Sequence, residues 1–230
     1  MKQHTSSFKN TIKKMGRELK SIITYDNITL EEELYSISYS YDGNILKSVM
    51  KKLEIESSVD IPKDTVLNYK LSVLVGNSYE YLDYGNYVVY ESEKQEDKDT
   101  YLITCYDKML YSMVDYEAVN VQYPISVRNY INAICNKLGL TFENINDTFA
   151  NYNRELAVDV YDGIGYTFRD VLDELAQVTA STICINENDN LEIRYITDTN
   201  DTIDEEFFKN INVDFGEKYR SSQFYCFIKV

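Results

Sequence analysis

Between Ser21 and Leu110 apolar and polar residues alternate in run after run, and turn residues separate the runs. Side chains alternate faces along a strand, so this period of two predicts β-structure buried on one face. SIITYDNITL reads as strand, Asp-Asn turn, strand. In ELYSISYSYDGN, Leu34, Ile37, Tyr39 and Tyr41 interleave with Ser36, Ser38 and Ser40, and Asp42-Gly43-Asn44 supplies turn chemistry. Leu53 and Ile55 carry the next run, then Leu71, Val73 and Val75 before a Gly76-Asn77 turn. Further on, Tyr87, Val89 and Glu91 are expected on one face and Val88, Tyr90 and Ser92 on the other. Beyond the charged EKQEDKD loop, Tyr101–Tyr106 forms the partner strand. Short strands with frequent turns point to an antiparallel barrel or sandwich.

The flanks differ. Phe8, Ile12, Met15 and Leu19 have helical spacing in a basic N-terminal segment, which Gly16 weakens. Val127, Tyr130, Ile131, Ile134 and Leu138 predict a helix with Ser126 as N-cap and Gly139 as its stop. Thr167 and Asp170 resemble a capping box opening a second helix, whose apolar face is Phe168, Val171, Leu172, Leu175 and Val178. STICINENDNLEIRYI follows as a hairpin turning at Asn188-Asp189-Asn190. After the acidic DTIDEE, residues 207–230 return to strand character and stop inside a strand-like run. That ending sets the expectation of the N-terminal part of a longer protein. The fold expected is α+β, mainly β. It divides into an N-terminal segment (1–20, short helix or flexible), a first barrel-like domain (21–116), an inserted domain of two helices and a hairpin (117–200), and a linker with return strands to the first domain (201–230).

Charge and composition narrow the function. The net charge is −15, with 38 acidic against 23 basic residues, and no basic stripe follows residue 20. Specific binding to nucleic acid needs clustered cations to replace phosphate counterions, so it is not expected. No 18-residue apolar run and no signal peptide occur, so neither membrane insertion nor secretion by that route is expected. Cys105, Cys135, Cys184 and Cys226 lack metal-ligand spacing and sit among apolar neighbours, which predicts free thiols. The 22 tyrosines, beside no tryptophan, read first as a compositional bias of the coding genome.

No catalytic, cofactor or metal site emerges. The one histidine, His4, lies near the N-terminus and leaves a Ser or Cys nucleophile without a base. Gly163-Ile164-Gly165 is a fragment of a nucleotide-binding pattern with Phe168 in the wrong place, and reads as a turn. Glu31-Glu32-Glu33 and Asp204-Glu205-Glu206 read as solvated carboxylates. Asn186–Asn190 has oxygen donors but no twelve-residue calcium loop, so a hairpin turn is expected there.

Several phrases share one order and spacing: Asp42-Gly43, Leu53-Glu54-Ile55-Glu56, Tyr84-Gly85-Asn86-Tyr87-Val88-Val89, Ile103-Thr104-Cys105-Tyr106-Asp107-Lys108-Met109-Leu110, Tyr123-Pro124-Ile125-Ser126, Ile131–Cys135, Leu138-Gly139-Leu140 and Phe215–Tyr219. Together they resemble the tail or baseplate hub proteins of tailed bacteriophages and of phage-tail-like particles from Gram-positive hosts. That is the structural group of the trimeric hub of contractile phages. The resemblance spans about 20–225, and family members continue for a hundred or more further residues.

The resemblance implies a barrel-like tube domain interrupted by an inserted α+β domain. It also implies a homotrimeric ring that joins the tail tube protein to a spike or tail-tip protein, with the tape-measure protein as a further partner. Such a ring is a scaffold without a catalytic step or cofactor. It is assembled in the bacterial cytoplasm and resides in the virion tail or tail-like particle. Acidic residues are expected to line its channel, where a negative wall repels DNA. Ring closure is expected through strand edges, and the candidate interface residues are Tyr39, Tyr41, Tyr87, Val88 and Tyr101. Two alternatives stay open: the anchor of a tail-associated wall hydrolase, and a carbohydrate-binding module.

Overall fold

A computed structural model describes residues 19–195, apart from 45, 97, 160 and 162–164, together with 7, 8 and 11. All of them fall in the first of two units, Met1–Ile196 and Thr197–Val230. The expected return strands over 201–230, and Cys226, lie outside the described residues.

The alternating runs form the strands. They are β1 (Leu19–Tyr25), β2 (Ile28–Leu30), β3 (Leu34–Asp42), β4 (Ser48–Ser57), β5 (Val66–Val75), β6 (Ser78–Lys94) and β7 (Tyr101–Tyr106). The first strand begins at Leu19, two residues inside the segment read as helix. Asp26 and Asn27, both at positive φ, make the two-residue turn between β1 and β2. A 3₁₀ helix (Lys108–Met113) then leads to β8 (Ile125–Ser126), helix α1 (Val127–Leu138), β9 (Glu155–Leu156), helix α2 (Phe168–Val178), β10 (Thr182–Ile185) and β11 (Leu191–Arg194).

Nine strands make one curled sheet in the order β11-β10-β4-β7-β6-β5-β1-β2, with β3 also on β4; β8 and β9 pair separately. All pairs in the large sheet are antiparallel except β10 with β4, where Ile183 and Cys184 lie beside Ser48 and Val49. The strands within 21–116 pair antiparallel throughout, as expected, and the parallel pair joins them to the hairpin that follows the helices. It needs a long crossover, and the helical region between β4 and β10 supplies one.

Strand β6, 17 residues long, carries two bulges, which bend and twist a strand locally. Across from β5 the register slips between Tyr69 and Lys70, leaving Tyr84 unpaired. Gly85 follows it at φ 92, a conformation that costs glycine little. Across from β7 the register slips at Tyr90. This second bulge corrects a face: Glu91 pairs with Thr104 and therefore sits on the Val88 side, not beside Val89. A third slip, between Leu34 and Ser36, absorbs the broken alternation at the start of β3.

Two cores result. Inside the curl, Ile23, Leu53, Ile55, Leu67, Val89, Ile103 and Cys105 pack with Tyr25, Tyr69 and Tyr87, and Tyr39, Tyr84 and Tyr101 close against them. Many of the tyrosines are thus core residues. The second core joins the two helices to β10, β11, Met50 and Met109. Both helices end as the sequence predicts. Ser126 accepts from Asn129 N, and Gly139 N–H reaches the carbonyls of Asn136 and Cys135. Thr167 and Asp170 form a reciprocal capping box, whose cap is worth about 1 kcal/mol. The buried face of α2 is Phe168, Val171, Leu172, Leu175 and Ala176, with Val178 half-buried.

Candidate functional site: an open strand edge and its anchorage

Among the described residues, β3 has a strand partner on one side only. It is nine residues long, contains no Lys, Arg or Pro, and ends in one charge, Asp42. Natural edges are normally short or blunted by charge, Pro or bulges, because free N–H and C=O groups are a template for pairing. After the Leu34/Ser36 slip, β3 runs in unbroken register to Asp42.

The five candidate interface residues separate. Tyr41 is 55% exposed at the end of β3. Tyr39 is half-buried and turns inward, its ring 5.0 Å from Tyr41, 5.1 Å from Tyr84 and 6.4 Å from Tyr87. Tyr87 is fully enclosed by its own subunit, and its hydroxyl donates to Tyr84 O at 3.2 Å. Burial holds the phenols of Tyr39 and Tyr87 well above the usual tyrosine range, so both stay neutral. Val88 is buried within its own subunit, 4% exposed, and pairs with Val66 of β5 and Tyr106 of β7. Tyr101, half-buried, begins β7. Strand β7 is flanked by β4 and β6, and β6 pairs with β5 over Ser78–Val88 and with β7 over Val88–Lys94, so that Val88 has a strand partner on each side. The edge character of the region therefore resides in β3, with Tyr41 and also Tyr35, 61% exposed and not singled out from sequence.

The outer face beside this edge is acidic. Ser38, Glu54, Thr104 and Glu91 form one cross-strand row, and Ser36, Glu56, Leu102 and Glu93 the next. Lys52 bonds Glu54 at 2.8 Å and Lys98 bonds Glu56 at 2.7 Å. The Lys98 hydrogen bond holds the Glu56 carboxyl below the usual carboxylate range.

The far end of β3 is anchored to α2. Arg169 Nη1 donates to Asp42 Oδ2 and Nη2 to Asp42 O, each at 2.9 Å. Asp173 accepts from Ser48 N at 2.7 Å and from the Ser48 hydroxyl, and pairs with Lys47 at 3.3 Å. The β3–β4 turn is therefore clamped through three of its residues, Asp42, Lys47 and Ser48. A second tie runs from the Asn186–Asn190 turn. Asn86 Nδ2 donates to Asp189 Oδ2 at 2.6 Å, and Lys108 pairs with the same oxygen at 3.3 Å. Within the turn, Asn186 Oδ1 accepts from the N–H groups of Asn188 and Asn190. This is a hairpin turn, as expected from sequence.

Cys105, Cys135 and Cys184 are free and buried. Burial pushes the first two thiols up to about 12 and the third to about 11. No group of three or more His, Cys, Asp or Glu among the described residues is placed to hold a metal ion. Nor is any helix among them long and apolar enough to cross a membrane. One open notch among them, about 700 Å³, is lined by Glu93, Lys94, Gln95, Glu96 and Lys98.

No protein-family profile and no curated protein matches the chain. Solved structures do. The 43 kDa tail protein of prophage MuSo2 from Shewanella oneidensis superposes with a TM-score of 0.53 at 12% identity, over 78% of this chain and 55% of that one. A tail protein from Neisseria meningitidis MC58 gives 0.49 at 10% identity, over 76% and 50%. The chain thus shares the fold of the MuSo2 protein and spans about half the length of both neighbours.

Proposed function

We propose that this protein is a structural component of a bacteriophage tail or phage-tail-like particle. Its role is that of a hub that closes a trimeric ring between the tail tube and the central spike or tip. The observation carrying this reading is the fold shared with a prophage tail protein over 78% of the chain. The open β3 edge supports ring closure, because copies adding strand to strand satisfy N–H and C=O groups that have no strand partner among the described residues. Tyr41 and Tyr35 flank that seam. The acidic rows on the outer face, Glu54, Glu56, Glu91 and Glu93, suit a channel wall, since they repel a passing polyanion. Tube, spike or tip, and tape-measure proteins are the partners of such a ring.

Immunogold labelling of particles from the producing cells tests the location. Antibody against this chain is expected to mark one end of tails or tail-like particles. Label confined to free protein, with bare particles, would contradict the reading.

A further inference from the structure

The carboxyl group of Asp107 lies where the two cores meet. Asp107 links β7 to the 3₁₀ helix and is 1% exposed. Its N–H donates to Lys51 O in β4 at 3.1 Å, and its Oδ1 accepts from Met109 N at 3.1 Å, capping the 3₁₀ turn. Its Oδ2 is buried without a hydrogen-bond partner. The groups that face it come from four elements: Lys51 of β4, Arg169 of α2, Tyr87 of β6 and Cys184 of β10. Neither cation makes a salt bridge with it, and Arg169 spends its guanidinium on Asp42. A buried, unpaired carboxylate costs far more than a neutral carboxyl at the same place.

We propose that Asp107 is a proton-controlled latch on the joint between the curled sheet and the helical region, closed when neutral and loosened when ionised. The joint matters because the clamp on the β3–β4 turn, the 3₁₀ helix and the start of β4 all meet beside it. Burial is the main cause that pushes the carboxyl up to about 7, against the pull of Lys51 and Arg169. The sign follows. Below pH 4 both folded and unfolded chains hold this proton. Between pH 4 and 7 the unfolded chain releases it first, so stability falls as pH rises. Above 7 the folded chain is ionised too, and the loss levels off.

Asp107→Asn keeps the shape and the Met109 contact and removes the charge. Its melting temperature relative to wild type is expected to rise from near zero at pH 4 to about 5 °C or more at pH 8, then stay flat. Amide exchange at Leu110–Met113, corrected for intrinsic rate, is expected to slow several-fold in the variant at pH 8 and not at pH 5. Equal pH profiles for the two proteins would overturn the proposal. If the variant fails to fold, NMR titration of the wild-type Asp107 carboxyl decides: a midpoint near 7 supports the latch, and one below 5 overturns it.

Discussion

Ser38→Pro and Tyr41→Pro, made one at a time, are expected to separate folding from assembly. Neighbouring positions of an antiparallel pair alternate between hydrogen-bonded and non-hydrogen-bonded, so their N–H groups point to opposite sides. Ser38 and Tyr41 are three positions apart in unbroken register, so one N–H faces β4 and the other the open edge. Both side chains are exposed, so neither substitution empties the core. One proline removes a ladder bond to β4, and a net loss of about 1 kcal/mol or more is expected from it. The other removes an N–H that faces the edge of β3 without a strand partner among the described residues. That variant keeps the wild-type melting curve, and its mass falls threefold, to that of the 26.9 kDa monomer. Melting by circular dichroism identifies which proline is which, and light scattering reads the assembly. A trimer from the variant that melts normally would remove β3 from the seam.

Gly43→Ala is expected to be the most damaging single-atom addition in the sheet. A Cβ on Gly43 would lie 2.6 Å from Ser48 O and 3.0 Å from Val49 Cα, both backbone atoms, at φ 152. Backbone cannot swing aside as a side-chain tip can, so the turn itself must shift. Asp42 would leave Arg169, Ser48 would leave Asp173, and the Ser48 and Val49 pairing with β10 would strain. A loss of about 2 kcal/mol or more follows, or about 5 °C in melting temperature for a chain of this size. Gly76→Ala is the control. Its φ of 65 is strained in the same sense, but nothing lies within 4 Å of its Cβ. Its loss is expected to be clearly smaller, and equal losses would mean that the close approach at Gly43 costs nothing.

The strands, both helices and their caps were legible because they rest on local rules. Period two, Asp26-Asn27 and the Thr167–Asp170 pair each speak within a few residues. What was not legible depends on distant partners. Arg169 reaches Asp42 across 127 positions, and nothing around either residue announces the other. Val88 lies on the face opposite Val89, as alternation predicts, yet it is buried where β5 and β7 both pair with β6. The bulge at Tyr90 moves Glu91 to the acidic face, a one-residue slip that alternation alone hides. Of the five interface candidates, Tyr39 and Tyr41 lie on β3, which has one strand partner among the described residues, and Tyr87, Val88 and Tyr101 lie on β6 and β7. Sequence could not tell that Val88 and β7 have strand partners on both sides, because strand order is set by tertiary pairing.

The central claim, a ring of three copies, is tested most directly by the mass of the purified chain in solution, measured by light scattering over a concentration series. The account predicts three times the 26.9 kDa of the chain, with the monomer appearing only on dilution. A monomer at every concentration would contradict a ring closed by contacts within these 230 residues.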